Sequence, residues 1–151
     1  SGYVVIFRES LLAHAKELGM TVIESEHYEA DSFDAQHFVS TVFAHPDRPT
    51  AIINQANASV LSQVLMALHD AGMSIPQDVS VLSCGTYFEG EPTRFPITEM
   101  PVMPEELCAE AMNLLVSAIE EHTDIKGSVE LIEPAMKRRG SVAEAGSGGT
   151  I

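Results

Sequence analysis

Six residues of this chain lie where a sheet protein most often binds its ligand. They follow three apolar runs, 3–7, 51–53 and 79–82, each of which has the composition of a buried strand. Ligands of open α/β sheets collect beyond the carboxyl ends of the strands, where directional hydrogen bonds fix a polar molecule. The sequence therefore predicts a ligand-binding site at this edge, built from Arg8, Asn54, Gln55, Gly85, Thr86 and Tyr87.

Each of these positions also has a purely structural interpretation. Asn54 is suited to cap the helix or turn that follows its strand, and Arg8 is suited to the exposed start of a helix. Tyr87 is suited to local packing within a loop. On the residues alone these alternatives stay open.

The motifs give little support to chemistry other than binding. Ser83 and Cys84 follow a strand, as some nucleophiles do, but no sequence cue marks a base for either of them. There is no GxSxG, P-loop or GxGxxG motif, and the six histidines show no HExxH spacing. Cys84 and Cys108 form no CxxC pair, and we predict two small buried thiols without a disulfide. We therefore expect no enzyme activity, metal or cofactor.

Residues 49–82 predict one complete strand–helix–strand unit. Apolar residues recur at helical spacing from Val60 to Leu68, which gives the helix one buried stripe. Gly72 suits a left-handed helix end, and Pro76 prevents the helix from resuming before the next strand. Two strands joined by a helix must lie parallel in one sheet, so 51–53 should pair in parallel with 79–82.

The remaining segments predict alternating strands and helices. Asp31 or Ser32 is the expected cap of the second helix, and Gly19 the expected end of the first. The fold class is therefore α/β, with a parallel sheet and helices on both faces, as in flavodoxin-like and Rossmann-like proteins. The predicted strands are 3–7, 20–23, 97–100, 129–132 and 135–137, and the predicted helices are 8–18, 31–44 and 104–121.

The sequence motifs in these segments resemble those of the effector-binding domain of LacI/GalR transcription regulators. That family has a strand starting P-x-A-I and ending N-D, a helix ending A-L-x-x-x-G, and then I-P-x-D-V-S-V. Here these are residues 49–54, 67–72 and 75–81. Residues 96–100 loosely match the family's L-T-T-V strand. The family's closing motif is matched by Leu131, Pro134, Met136, Arg139 and Ser141.

The resemblance implies an organisation in two periplasmic-binding-protein-like lobes with the effector between them. Residues 1–142 would form the C-terminal part of this domain, mostly its C-terminal lobe. Residues 97–121 would belong to the other lobe and expose an apolar stripe to it or to another chain. Residues 143–151, rich in glycine, would be a disordered tail.

The resemblance also implies a sugar or nucleoside effector, although the sequence departs from the family at two contact positions. In such relatives an arginine early in the first helix and an aspartate after the V-S-V strand contact the effector. Here Gly85 occupies the aspartate position, Gln55 replaces the aspartate of N-D, and the motif R-x-x-G-F is absent around Arg8. A different effector, or none, therefore stays open beside a sugar.

The charge of this chain argues against its own contact with DNA. With 22 acidic and 8 basic residues, the formal charge is −14, and such a surface repels a phosphate backbone. The resemblance implies that this chain is the C-terminal part of a cytoplasmic homodimeric regulator, whose DNA binding lies in an N-terminal helix-turn-helix outside this chain, with no membrane partner. A related periplasmic-type binding protein is the main alternative, and an enzyme on a flavodoxin-like sheet is a third.

Overall fold

The computed structural model describes residues 2–25, 32–55, 58–84, 95–122, 124, 126–127, 129 and 132–144. Four helices and three strands lie within these ranges. In chain order they are α1 (Gly2–Glu17), α2 (Ala35–Val42), β1 (Ala51–Asn54), α3 (Ala58–Asp70), β2 (Ser80–Cys84), β3 (Thr98–Met100) and α4 (Pro104–Glu121). None of these helices is both long enough and apolar enough to cross a membrane.

The three strands form one parallel sheet in the order β1-β2-β3. Ala51 pairs with Ser80 and Ile53 with Leu82, so the predicted parallel pairing of 51–53 with 79–82 is confirmed. Helix α3 connects these two strands, as the sequence predicted. The short strand β3 confirms the extended segment expected at 97–100.

The core lies between this sheet and helices α2 and α3. The stripe expected from Val60 to Leu68 is buried, with Leu65 and Leu68 almost inaccessible to solvent. Val39 of α2 and Val81 of β2 belong to the same buried cluster. Burying a leucine side chain contributes about 1.5–3 kcal/mol, so this stripe is what fixes α3 to the sheet.

The turn that leads into β2 is closed by one carboxylate. Asp78 Oδ2 accepts a hydrogen bond from the Ser74 amide at 2.8 Å, and Asp78 Oδ1 lies 3.2 Å from Arg48 Nη2. The Ser74 hydrogen bond, followed by the Arg48 guanidinium, holds the pKa of Asp78 below its usual value. These contacts, with Gly72 at φ 75°, turn the chain from the end of α3 back to the sheet.

Helix α2 begins later than the sequence predicted. Its N-cap is Asp34, whose Oδ1 accepts a hydrogen bond from the His37 amide at 2.9 Å. Ser32 therefore does not cap this helix, and Asp31 lies outside the described residues. An aspartate three positions before an amide donor satisfies the orphan N–H groups of the first turn, and Asp34 has that spacing.

Two predicted strands are wrong. Residues 3–7 are the first part of α1, which runs without a break to Glu17. The sequence has no glycine or proline near the predicted boundary at Phe7 and Arg8 that would end one element and start another. An apolar run of five residues does not by itself distinguish a strand from a helix. Residues 20–23 are not in a strand either, and Met20 and Ile23 are exposed. Neither segment pairs with a described strand, and an unpaired backbone gains nothing from an extended form.

Helix α4 is confirmed at its predicted position. Pro104 occupies its first turn, and Glu105 and Glu106 lie at its positive end. Only Ala118 of this helix is buried, whereas Leu107, Leu115 and Ile119 are exposed. The exposed apolar stripe expected from the sequence is therefore present.

The strand predicted at 135–137 is wrong, and of the strand predicted at 129–132 residues 130 and 131 lie outside the described residues. Val129 is exposed, and Lys137 forms only an isolated antiparallel bridge with Glu99. The predicted tail begins with an ordered residue, because Ala143 N donates to Ser80 Oγ at 3.1 Å. Residues 145–151 of that tail lie outside the described residues.

Candidate functional site

Two rows of side chains cross the same face of the sheet. The first row, nearer the amino ends of the strands, contains Ile52 and Val81 with Ile97 just before β3, all in the core. The second row comes two residues later and contains Asn54, Ser83 and Glu99, which are registered neighbours. Side chains two residues apart in a strand share a face, so an apolar row is followed by a polar row toward the carboxyl edge.

The polar row, Asn54, Ser83 and Glu99, is buried throughout. The three residues are 9%, 1% and 7% exposed. Asn54 Nδ2 donates to Ser83 Oγ at 3.4 Å, which is a long hydrogen bond. Buried polar groups need partners, so a row of three at one sheet edge is either a structural network or the base of a binding site.

Gln55, the residue directly after Asn54, adds an amide donor at the end of β1. Its side-chain Nε2 is buried and has no hydrogen-bond partner among the described residues. A buried amide without a partner costs about 1–3 kcal/mol. A ligand acceptor would offset that cost, and the contact of Gln55 with an effector stays a prediction.

The closing motif binds the start of β3 to β2. Ser141 Oγ accepts from the Thr98 amide at 2.7 Å and donates to the Val81 carbonyl at 2.6 Å. The Ser141 carbonyl accepts a hydrogen bond from the Val81 amide at 2.8 Å. This provides a partner for the part of β2 that precedes its pairing with β3. The Arg139 amide donates to Thr98 Oγ1 at 3.1 Å. Arg139 and Ser141 therefore have a structural role.

Arg139 also compensates the buried charge of the polar row. Its Nη1 lies 2.6 Å from Glu99 Oε1, although the angle is poor for a hydrogen bond, so the contact is mainly ionic. The same Nη1 donates to the Ile97 carbonyl at 3.2 Å. Sequence analysis did not single out Glu99, because its burial depends on a partner far away in the chain. The signal that could have found it is the spacing of Ile97 and Glu99, because residues two apart in a strand share a face and Ile97 is apolar.

The other predicted site residues have different outcomes. Arg8 lies within α1 and forms an ion pair with Glu24, so it does not follow a strand as the prediction assumed. Gly85, Thr86 and Tyr87 lie outside the described residues, so their place in the site stays a prediction. The structure thus brings Asn54 and Gln55 to the edge of the sheet and adds Ser83 and Glu99 to them.

The two cysteines differ in their surroundings. Both are free, but Cys84 is buried at the end of β2 whereas Cys108 is exposed on α4, contrary to the expectation that both are buried. Burial raises the pKa of the Cys84 thiol. Since the thiolate is the reactive form, this shift opposes a nucleophilic role for Cys84. Among the described residues, no group of three or more His, Cys, Asp or Glu side chains could hold a metal ion.

A cavity of about 520 Å³ lies beside the carboxyl end of β3. It lies where the chain leaves the sheet for α4 and returns from it, and Pro134 and Glu133 belong to the returning segment. Its lining is mostly apolar and comprises Met100, Glu133, Pro134, Ala135 and Met136. The backbones of Glu99 and Lys137 join the two crossing segments through hydrogen bonds of 3.0 and 2.8 Å.

Among solved structures, this chain is similar to several LacI family regulators. One from Bifidobacterium animalis subsp. lactis has 24% identity and a TM-score of 0.72, over 94% of this chain and 51% of its own. One from Arthrobacter sp. FB24, in complex with lactose, has 20% identity and a TM-score of 0.67, over 89% and 50%. One from Lactobacillus casei, with bound sucrose, has 16% identity and a TM-score of 0.61, over 89% and 50%.

These likenesses establish the fold, and this chain spans about half the length of each of those proteins. No curated protein matches the sequence. A family model described as a periplasmic binding protein-like domain matches residues 1–142. The parallel sheet and the order of its strands agree with that match, as does the resemblance found in the sequence. The chain therefore belongs to the periplasmic-binding-protein-like domain family, with the fold that LacI family regulators share.

Proposed function

We propose that this chain is the effector-sensing part of a LacI/GalR-type transcription regulator. The observation that carries the proposal is the family match over residues 1–142 together with LacI family regulators as structural relatives. In such a module the effector binds one arrangement of the lobes more tightly than another and thereby shifts the population. The chain performs no reaction in this proposal, and it acts in the cytoplasm.

The division of the domain is part of the same proposal. Residues 1–142 form the C-terminal part of the effector-binding domain. Of the segment 97–121 that the sequence assigned to the other lobe, β3 pairs with β2 in the same sheet, so the proposal keeps only α4 for the other lobe. The exposed Leu115 and Ile119 of α4 support this division, because they leave an apolar face for further polypeptide to cover. Residues 143–151 form a tail.

The effector site is proposed at the carboxyl edge of the sheet. Asn54 supports it through its burial beside Ser83, and Gln55 supports it through its buried Nε2 atom, which has no partner among the described residues. Arg8, Gly85, Thr86 and Tyr87 complete the set as sequence predictions. A small polar molecule, either a sugar or a nucleoside, is the proposed effector. The relatives crystallised with lactose and with sucrose make sugars the first compounds to test.

The proposed partners are a second copy of the protein and DNA. The acidic charge of −14 supports placing DNA contact outside this chain, in an N-terminal helix-turn-helix. The alternative is a periplasmic-type binding protein, whose lobes share this fold. The closing Arg139 and Ser141 motif and the two free cysteines favour the regulator.

The proposal is tested by ligand-induced stabilisation of the natural protein, in the longest form that the cell makes. A ligand at a hundred times its dissociation constant stabilises the native state by about 2.7 kcal/mol, which raises the melting temperature by several degrees. We expect at least one sugar or nucleoside to do so and to change the affinity of the protein for its operator DNA. Stabilisation by none of them would contradict the sensing function.

A further inference from the structure

The polar row contains a carboxylate that belongs to no site predicted from the sequence. Glu99 lies directly beside Ser83 in the register of the sheet, and Ser83 lies beside Asn54. A buried carboxylate is unfavourable unless a positive group or hydrogen-bond donors compensate it. Arg139 does so at 2.6 Å, and its own position is fixed by the hydrogen bond to the Ile97 carbonyl. The chain thus places a carboxyl side chain, paired with Arg139, at the sheet edge where a ligand is expected.

The position of Glu99 is informative because the sequence lacks the aspartate that the resemblance implies at position 85. Gly85, directly after β2, occupies the position where the resemblance implies an aspartate. Glu99 lies on the adjoining strand β3, where the L-T-T-V wording has its second threonine. Compared with the motif of the resemblance, this sequence has no acceptor side chain directly after β2 and has one on β3.

We propose that Glu99 is a specificity-determining residue of the effector site and accepts a hydrogen bond from a hydroxyl group of the ligand. An ionised carboxylate has about four acceptor positions, so the contact with Arg139 does not exhaust its capacity. Hydroxyl groups donate strongly to carboxylates, whereas a second carboxylate or a phosphate would be repelled. The ligand class is therefore neutral and rich in hydroxyl groups. This inference rests on the proposed function.

A purely structural role for Glu99 makes a different prediction. If Glu99 only anchors the closing segment through Arg139, its replacement weakens folding and leaves the affinity of the folded protein unchanged. Glu99→Gln preserves the shape of the side chain and removes its charge. Ser141→Ala is the matched control, because it removes the hydrogen bonds of the closing segment to Val81 and Thr98 without altering the carboxylate.

The experiment is isothermal titration of the natural protein and its variants, in the longest form that the cell makes. The probes are lactose, sucrose, ribose, inositol, adenosine and, as an anion, gluconate. Circular dichroism first establishes a temperature at which each variant is folded. We expect a neutral probe to bind, Glu99→Gln to weaken it at least about tenfold, and Ser141→Ala to change it less than about twofold. Gluconate should bind more weakly than the neutral probes.

The outcomes separate this inference from the function on which it rests. Equal affinity of the natural protein and Glu99→Gln for every bound probe would overturn the role of Glu99 and leave the sensing function intact. Binding of no probe by the natural protein would contradict the sensing function and this inference with it. If Glu99→Gln does not fold, Glu99→Asp takes its place, since it keeps the charge and withdraws the carboxylate from the ligand. Unchanged affinity in that variant would overturn the inference equally.

Discussion

The sheet with α2 and α3 differs from the two outer helices in where its apolar residues lie. In the first region Leu68 and Val81 are fully buried. In the second, Ile6 of α1 is 70% exposed and Ile119 of α4 is 65% exposed, although both helices are as rich in such residues. The first region therefore buries its own apolar residues, whereas Ile6 of α1 and the apolar stripe of α4 stay exposed in this chain. This agrees with a chain that spans half the length of its structural relatives.

The largest difference expected between the two regions is in thiol reactivity. Cys84 belongs to the sheet and has a raised pKa, whereas Cys108 is exposed on α4. A buried thiol reacts only when its surroundings open, so Cys84 should label at least about a hundredfold more slowly than Cys108. Mass spectrometry after brief treatment with a maleimide measures the two rates. The variant Cys108→Ser should show no fast phase, and equal rates in the folded protein would contradict the burial of β2.

The next largest effect is the cost of a cavity in the core. Leu68→Ala removes a side chain with no exposed surface and should lower the free energy of unfolding by about 2–5 kcal/mol. The matched change on the open helix, Ile119→Ala, should cost less than about 0.5 kcal/mol in this chain. Urea denaturation of both variants measures the difference. Equal losses would show that α4 is packed as firmly as α3.

A smaller effect is expected where the closing segment meets the sheet. Ser141→Ala leaves the Thr98 amide without its side-chain acceptor and the Val81 carbonyl without a hydroxyl donor, which should cost about 1–3 kcal/mol. Val142→Ala, at the exposed neighbouring residue, should be nearly neutral. The same urea titration distinguishes them, and a neutral Ser141→Ala would show that the motif does not hold β3 against β2.

The smallest effect concerns the turn before β2 at low pH. The Ser74 amide and Arg48 lower the pKa of Asp78 in the folded protein below the 3.8 of an unperturbed aspartate. This stabilisation is therefore complete above pH 3.8 and is lost as the pH falls through the lower folded value. Asp78→Asn should lose less stability than the natural chain on acidification. Asp47→Asn is the control, and the measurement is the free energy of unfolding in urea as a function of pH. Parallel stability curves for the natural chain and Asp78→Asn would contradict the role of Asp78 in the acid sensitivity.

The two regions also differ in how well the sequence predicted them. Strand β1, helix α3 and strand β2 were predicted because every signal for them is local: an apolar run, a helical stripe, Gly72 and Pro76. The run 3–7 was assigned to the wrong structure because no stop signal separates it from the rest of α1. Where local signals conflict or are missing, the partners of a segment decide its structure, and sequence patterns do not reveal those partners.

The candidate site shows the same limit. Asn54 and Gln55 were predicted from a general rule about strand ends, and the structure places both at the carboxyl edge of β1. The polar row depends on the register of three strands and on Arg139, neither of which one segment encodes. Arg8 was assigned on the assumption of a strand that does not form, and Gly85, Thr86 and Tyr87 stay predictions.

Amide hydrogen exchange, resolved by residue, tests the contrast between the two regions most directly. The slowest amides should be those of Val81 and Leu82 in the central strand, together with buried turns of α3, because these open only when the core unfolds. Amides of residues 21–25 should exchange fastest, with those of α1 and α4 between the two. Protection in α1 and α4 equal to that in β2 would contradict the account that only the sheet with α2 and α3 forms a closed core.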